Sequence, residues 1–210
     1  MLSTLNHKSC GSNKAAVSGG GTPSSAALML HLSSNLADSA GNPITVVGAA
    51  AISGAQHLFG AGSLSITAGS ALTFPEILLP GDFTVEVRWY PTDTNYGLTF
   101  SGGTGPQLGA YAGGNMLYYN AGPIVTGTYI SPGSWHALSW VRQSGLVTQF
   151  LDGVNAGSVA DAGPLSIGTL GGYSGGSGYN SLGYLCEARV TKDRALYTAN
   201  YTPATAPFVG

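Results

Sequence analysis

The stretch Phe83-Thr84-Val85-Glu86-Val87-Arg88-Trp89-Tyr90 decides the fold class. Phe83, Val85, Val87 and Trp89 alternate with Thr84, Glu86, Arg88 and Tyr90. Successive side chains of a strand point to opposite faces, so a period of two reads as a half-buried β-strand. Upstream, Leu28-Met29-Leu30, Ile44-Thr45-Val46-Val47, Leu64-Ser65-Ile66 and Leu72-Thr73-Phe74 are short apolar or alternating runs. Downstream, 98–100, 108–111, 116–119, 135–142, 146–151, 154–159, 165–167 and 183–190 repeat the pattern between glycines. Asp152-Gly153 between two of these runs is a strong hairpin signal. No long amphipathic helix pattern appears, and Asp193 to Ala199 offers at most a turn or two. Many short strands with close turn signals predict an all-β sandwich.

Composition narrows the class. The chain has 210 residues, 43% hydrophobic and only 8% charged, against about 25% charged in an ordinary domain. Its 33 glycines are roughly twice the usual share. The length suits one domain, with apolar content sufficient for a core. Seven basic and nine acidic residues leave −2, which supplies no basic patch for nucleic acid. No apolar run reaches the roughly 18 residues of a spanning helix, so no membrane partner is expected. The start, Met1 to Lys8, lacks the apolar segment of a secretory signal, which fits synthesis in a host cytoplasm. Cys10 and Cys186 are too few for a disulfide framework and read as free thiols.

Two regions stand apart. Residues 1–26 are rich in Ser, Asn, Gly and Lys and end in Gly19-Gly20-Gly21-Thr22-Pro23-Ser24-Ser25, which reads as an extended arm and linker before a domain at 27–210. From Thr94 to Val141 no Asp, Glu, Lys or Arg occurs, yet Tyr96, Tyr111, Tyr118, Tyr119, Tyr129, Trp135 and Trp140 do. Either these loops are polar through Ser, Thr, Asn and Gly, or they pack in an assembly, since interface cores lose charge and gain aromatics. The assembly is preferred.

Three segments, in order, carry a family resemblance: Asp82 to Pro91; Trp135 to Arg142 with Phe150-Leu151-Asp152-Gly153; and Gly183 to Thr191 with Ala195 to Pro203, closing on Ala206-Pro207-Phe208. Together they resemble the laminin-G-like branch of the concanavalin A-like lectin/glucanase superfamily. The run Tyr197-Thr198-Ala199-Asn200-Tyr201-Thr202-Pro203 is similar to the version found in tailed-bacteriophage virion proteins. The resemblance covers roughly 27–208 and implies a jelly-roll sandwich of two antiparallel sheets. It implies that Trp89, Trp140 and Phe150 are structural core. Relatives often carry Asp where this chain has Cys186, followed by Glu187 and Arg189, two apart on one side of a strand.

Catalytic signals are missing. The Glu-x-Asp-x-x-Glu strand of the superfamily's glucanases does not occur, and Glu76, Glu86 and Glu187 lie far apart in sequence. His7, His31, His57 and His136 show no metal-ligand spacing, and His136 reads as structural. No Gly-x-Ser-x-Gly elbow occurs. Asp38 with Asn42, and Asp161, are the only loop oxygens suited to calcium, too sparse for a strong site. No enzyme activity, cofactor or metal is expected.

Two functions remain. The first is a non-enzymatic virion protein that decorates or cements a phage head. Its arm, with Leu2, Leu5, Lys8 and Lys14, would clasp the major capsid protein and copies of itself, as a trimer or other closed ring. The alternative is a lectin-like carbohydrate-binding module of a tail fibre or adsorption apparatus. There, Tyr96, Tyr111, Tyr173 and Tyr179 would stack on sugars. The sequence reading prefers the first.

Overall fold

A computed structural model describes residues 26–103, 105–121, 124–173 and 178–209. Through these run β1 (Ala26–Leu30), β2 (Thr45–Val47), β3 (Ala51–Ser53), β4 (Ser63–Ile66), β5 (Ala71–Leu79), β6 (Phe83–Pro91), β7 (Gly97–Ser101) and β8 (Gln107–Tyr111). They continue with β9 (Asn115–Tyr119), β10 (Ile124–Tyr129), β11 (His136–Gln143), β12 (Leu146–Leu151), β13 (Val154–Ala160), β14 (Leu165–Leu170) and β15 (Gly183–Lys192). No helix occurs among the described residues, and 193–199 is irregular rather than helical. The arm residues Leu2, Leu5, Lys8 and Lys14, and Cys10, lie outside the described residues.

The strands form two sheets, with every strand pair antiparallel. One has the order β13-β12-β11-β6-β15-β4-β3, with β1 also on β15; the other has β10-β9-β8-β7-β14-β5-β2. Their inner faces enclose one large apolar core. Phe83, Val85, Val87 and Trp89 face into it from β6, and Leu138 and Trp140 from β11. The fold is thus an all-β jelly-roll sandwich.

The outer face of β6 departs from the half-buried reading. Thr84, Glu86 and Arg88 are buried along with their apolar neighbours. The cause is the closing segment after β15, which lies across this face. Thr84 Oγ1 donates to Arg194 O at 3.0 Å, Tyr197 OH to Glu86 Oε1 at 3.1 Å and Arg88 Nη2 to Ala204 O at 2.9 Å. Val141 and Phe150 pack there with Tyr197, Ala195, Leu196 and Tyr201 in a second, smaller cluster. Phe150 is therefore buried on the outer side of the sheet and not in the main core with Trp89 and Trp140. Tyr197 and Tyr201 stack at 3.6 Å.

The β12–β13 turn locks this segment down. Asp152 and Gly153 have φ of 52° and 79°, as a two-residue hairpin turn of this type requires. Gly153 O accepts from Tyr201 N at 2.9 Å, and a Cβ on Gly153 would collide with Tyr201 O, so only glycine fits the approach.

Glu187 and Arg189 do not act as a simple i, i+2 pair. A register shift between Cys186 and Arg189, with Glu187 at φ 48°, marks a bulge in β15. Arg189 pairs with Glu86 at 3.0 Å and lies over the Phe208 ring. Glu187 instead holds His31 at 3.1 Å and accepts from Phe208 N at 2.7 Å.

Candidate functional site

Four tyrosines from three separate parts of the chain meet at one edge of the sandwich. Tyr96 closes the β6–β7 loop, Tyr111 ends β8, and Tyr173 and Tyr179 lie in the connection from β14 to β15. Tyr96 meets Tyr111 edge to face, with centroids 5.2 Å apart at 85°. Tyr179 lies 5.8 Å from Tyr96, and Tyr173 6.3 Å from Tyr179 at 80°. Each contact is edge-on or tilted, as the ring quadrupoles favour.

The local sequence explains the convergence. Ala112, Gly113 and Gly114 all take positive φ, so the β8–β9 hairpin turns tightly. Asn95 Oδ1 accepts from Gly113 N at 3.2 Å, and Asp93 Oδ1 from Asn95 N at 2.8 Å, which ties the β6–β7 loop to that hairpin. Leu98 N donates to Tyr179 O at 2.8 Å. Asn180 is anchored in turn by Gly69 N and Ser70 O, each at 2.8 Å. Tyr129 at the end of β10 borders the group, since a Cβ on Gly114 would meet its ring.

The rings are held yet open. Tyr96, Tyr111 and Tyr179 are 42%, 41% and 56% exposed. Residues 94–114 and 171–181 carry no ionisable acid or base of the Asp, Glu, Lys, Arg or His type, and Asp93 stands at the border. The result is an aromatic surface rimmed by Asn, Asp, hydroxyl and backbone groups. Such a surface can stack on an apolar ring face and hydrogen-bond its edges. Sequence reasoning singled out Tyr96, Tyr111, Tyr173 and Tyr179; it missed Asp93, Asn95 and Tyr129, for which no motif gives a signal.

Elsewhere several carboxylates are engaged in holding the fold. Glu86 is bound by Arg189 and Tyr197, and its burial pushes the carboxyl up against their pull. Glu76 accepts from Ser166 Oγ and Gly103 N, both at 2.8 Å, which lowers its carboxyl. Asp38 closes its own loop on Met29 N, Asn42 N and Asn42 Nδ2. Asp161 accepts from Tyr118 OH and Asn120 Nδ2. No three potential metal ligands cluster among the described residues.

His136 stands beside two hydroxyls and a carboxylate, the parts of a hydrolytic triad. Nδ1 donates to Asp152 Oδ2 at 2.8 Å, and Nε2 lies 3.0 Å from Ser134 Oγ and 3.1 Å from Ser131 Oγ. Nε2 also donates to Ser131 O at 3.0 Å. Both ring nitrogens thus face obligate acceptors, and the Asp152 hydrogen bond raises the imidazole above its ordinary value. The group fastens the loop before β11 to the β12–β13 turn.

No family model matches the chain, and no curated protein matches it. Solved structures do. Domain 4 of AbnA, a GH43 extracellular arabinanase from Geobacillus stearothermophilus solved with arabinotriose, is 19% identical with a TM-score of 0.60. The match covers 80% of this chain and 93% of that one, and shows the same β-sandwich. Mouse laminin α1 domains LG4-5 match at 16% identity and TM-score 0.39, over 61% of this chain and 38% of that one. The enzymatically active domain of bacteriophage CBA120 tailspike protein 2 matches at 14% and 0.39, over 71% and 25%.

Proposed function

We propose that this chain is a carbohydrate-binding β-sandwich that holds neutral glycans on the tyrosine cluster without cleaving them. The observation that carries this is the convergence of Tyr96, Tyr111, Tyr173 and Tyr179 into one uncharged surface. Tyrosine brings large contact area at small entropic cost, and its hydroxyl adds a donor and an acceptor. The AbnA domain, which shares the fold, was solved holding arabinotriose, so a sandwich of this kind accommodates a short sugar chain. Following the sequence resemblance, we assign the module to an adsorption apparatus on a phage virion, where it meets the host surface. The head-decoration reading rests on the arm, outside the described residues, on the charge-poor stretch and on the closing run, and gains no support from the sandwich.

The test is titration with neutral arabino-, gluco- and galacto-oligosaccharides by calorimetry, with release of reducing sugar followed in parallel. Binding of at least one member is expected, with no new reducing ends. Tyr96→Ala or Tyr179→Ala should cost about 1 kcal/mol or more, roughly fivefold in Kd, at unchanged melting temperature. Affinity indifferent to both substitutions, or no affinity across the panel, would overturn the proposal.

A further inference from the structure

The outer face of the β6 sheet holds a cavity of about 450 Å³, and none of the four clustered tyrosines lines it. Arg88, His136 and Asp152 supply its polar wall, and Trp135, Phe59 and Pro203 its apolar one. Arg88 is 6% exposed. Its guanidinium donates Nη2 to Ala204 O, and its Nε is buried with no acceptor. Among the described residues no carboxylate lies within ion-pair distance of it. The acids nearby are committed: Glu86 to Arg189, Asp152 to His136 and Glu187 to His31.

A buried guanidinium without a counter-ion is costly, and its planar fork suits a carboxylate or phosphate. Arg142 shows the contrast. It is equally buried, but carbonyls of Leu79, Gly81 and Gly163 accept from its nitrogens. The charge of the cavity selects between anions. His136 and Asp152 form a neutral pair when both are ionised, and Arg88 adds a positive charge that acts on Glu86 and Asp152 without contacting either. One guanidinium balances a single negative charge and leaves the second charge of a dianion without a partner. The volume falls within the range of small-ligand sites. Trp135 is partly exposed, so its ring is open to a ring-shaped skeleton.

We propose that this cavity is a second ligand site that takes a sugar acid, its carboxylate on Arg88 and its ring against Trp135. The site is independent of the tyrosine cluster and stands or falls without it.

Trp135 is also the reporter, since Trp89 and Trp140 are fully buried. Titration of the full chain with sodium glucuronate should change tryptophan emission saturably. Glucose and inorganic phosphate should bind at least about tenfold more weakly, glucose for want of the carboxylate and phosphate because its second charge finds no partner. By calorimetry, Arg88→Lys, which keeps the charge but loses the fork, should weaken glucuronate about tenfold, as should Trp135→Ala. Tyr96→Ala should leave glucuronate affinity unchanged. Equal affinity for glucose, tighter binding of phosphate, or Trp135→Ala without effect would each overturn the proposal. If Arg88→Lys fails to fold, the glucuronate-to-glucose ratio of the unaltered protein and the Trp135→Ala result decide it.

Discussion

Trp89 and Trp140 are equally buried but not equally satisfied. Trp140 Nε1 donates to Leu117 O at 2.9 Å, whereas Trp89 Nε1 is buried without an acceptor. Replacing either indole with alanine opens a cavity and should cost about 3–5 kcal/mol. Replacement with phenylalanine separates the two. Trp140→Phe removes a hydrogen bond that is made, while Trp89→Phe removes an unpaired donor. Denaturant unfolding should therefore find Trp140→Phe worse than Trp89→Phe by about 1 kcal/mol. Equal losses would show that the Trp140 hydrogen bond contributes nothing net. Cys186 belongs at this scale as well. Burial pushes its thiol up to about 12, so it behaves as a small apolar residue.

Two elements hold the outer face of the β6 sheet: the closing segment and the β12–β13 turn. Beneath the first, Arg189 neutralises Glu86 in a dry site. Arg189→Met would leave that carboxylate uncompensated and should cost about 3–5 kcal/mol, with much of it regained in the double variant with Glu86→Gln. The turn gives a pH signature. Asp152 raises the His136 pKa, so this contribution is complete below about 6.5 and disappears as pH climbs through the raised folded value. The Asp152 pKa is lowered by His136 and Ala137 N against its burial, so its contribution is present above about 3.8 and lost as pH falls through the lowered value. The melting-temperature deficit of Asp152→Asn should accordingly be largest between those limits, near pH 5, and shrink on the alkaline side. A deficit flat across pH would mean that only the Ala137 N–H bond matters. These elements also show where sequence reading stops. Alternation along 83–90 and the Asp152-Gly153 dipeptide identify the strand and the hairpin, because both signals are local. Burial of Glu86 and Arg88 was not legible, since their cover comes from residues over a hundred positions later in the chain. The tyrosines could be picked out by type and by the lack of charge around them. Their meeting depends on Asn95, Leu98 and Asn180 tying three loops together, which no spacing encodes.

At the scale of the whole molecule, the low charge takes on a specific meaning. Of the sixteen Asp, Glu, Lys and Arg residues, Glu86, Arg88, Arg142, Asp161, Glu187 and Arg189 are buried. The described surface keeps Asp38, Glu76, Asp82, Asp93, Asp152 and Asp193 against Lys192 and Arg194. Charge in this protein thus fixes the closing segment and loops more than it coats the exterior. A surface so sparsely and mostly negatively charged has little long-range field with which to steer a partner. Recognition by the tyrosine cluster must then come from short-range contact, which salt does not screen. Affinity for a neutral oligosaccharide should therefore change by less than about twofold between roughly 0.02 M and 0.5 M sodium chloride, although the Debye length shrinks severalfold over that range. Calorimetric titration at the two salt concentrations measures this directly. A steep fall with salt would place charged groups at the binding surface. It would point away from the tyrosines and toward charged groups such as Arg194 or Asp93.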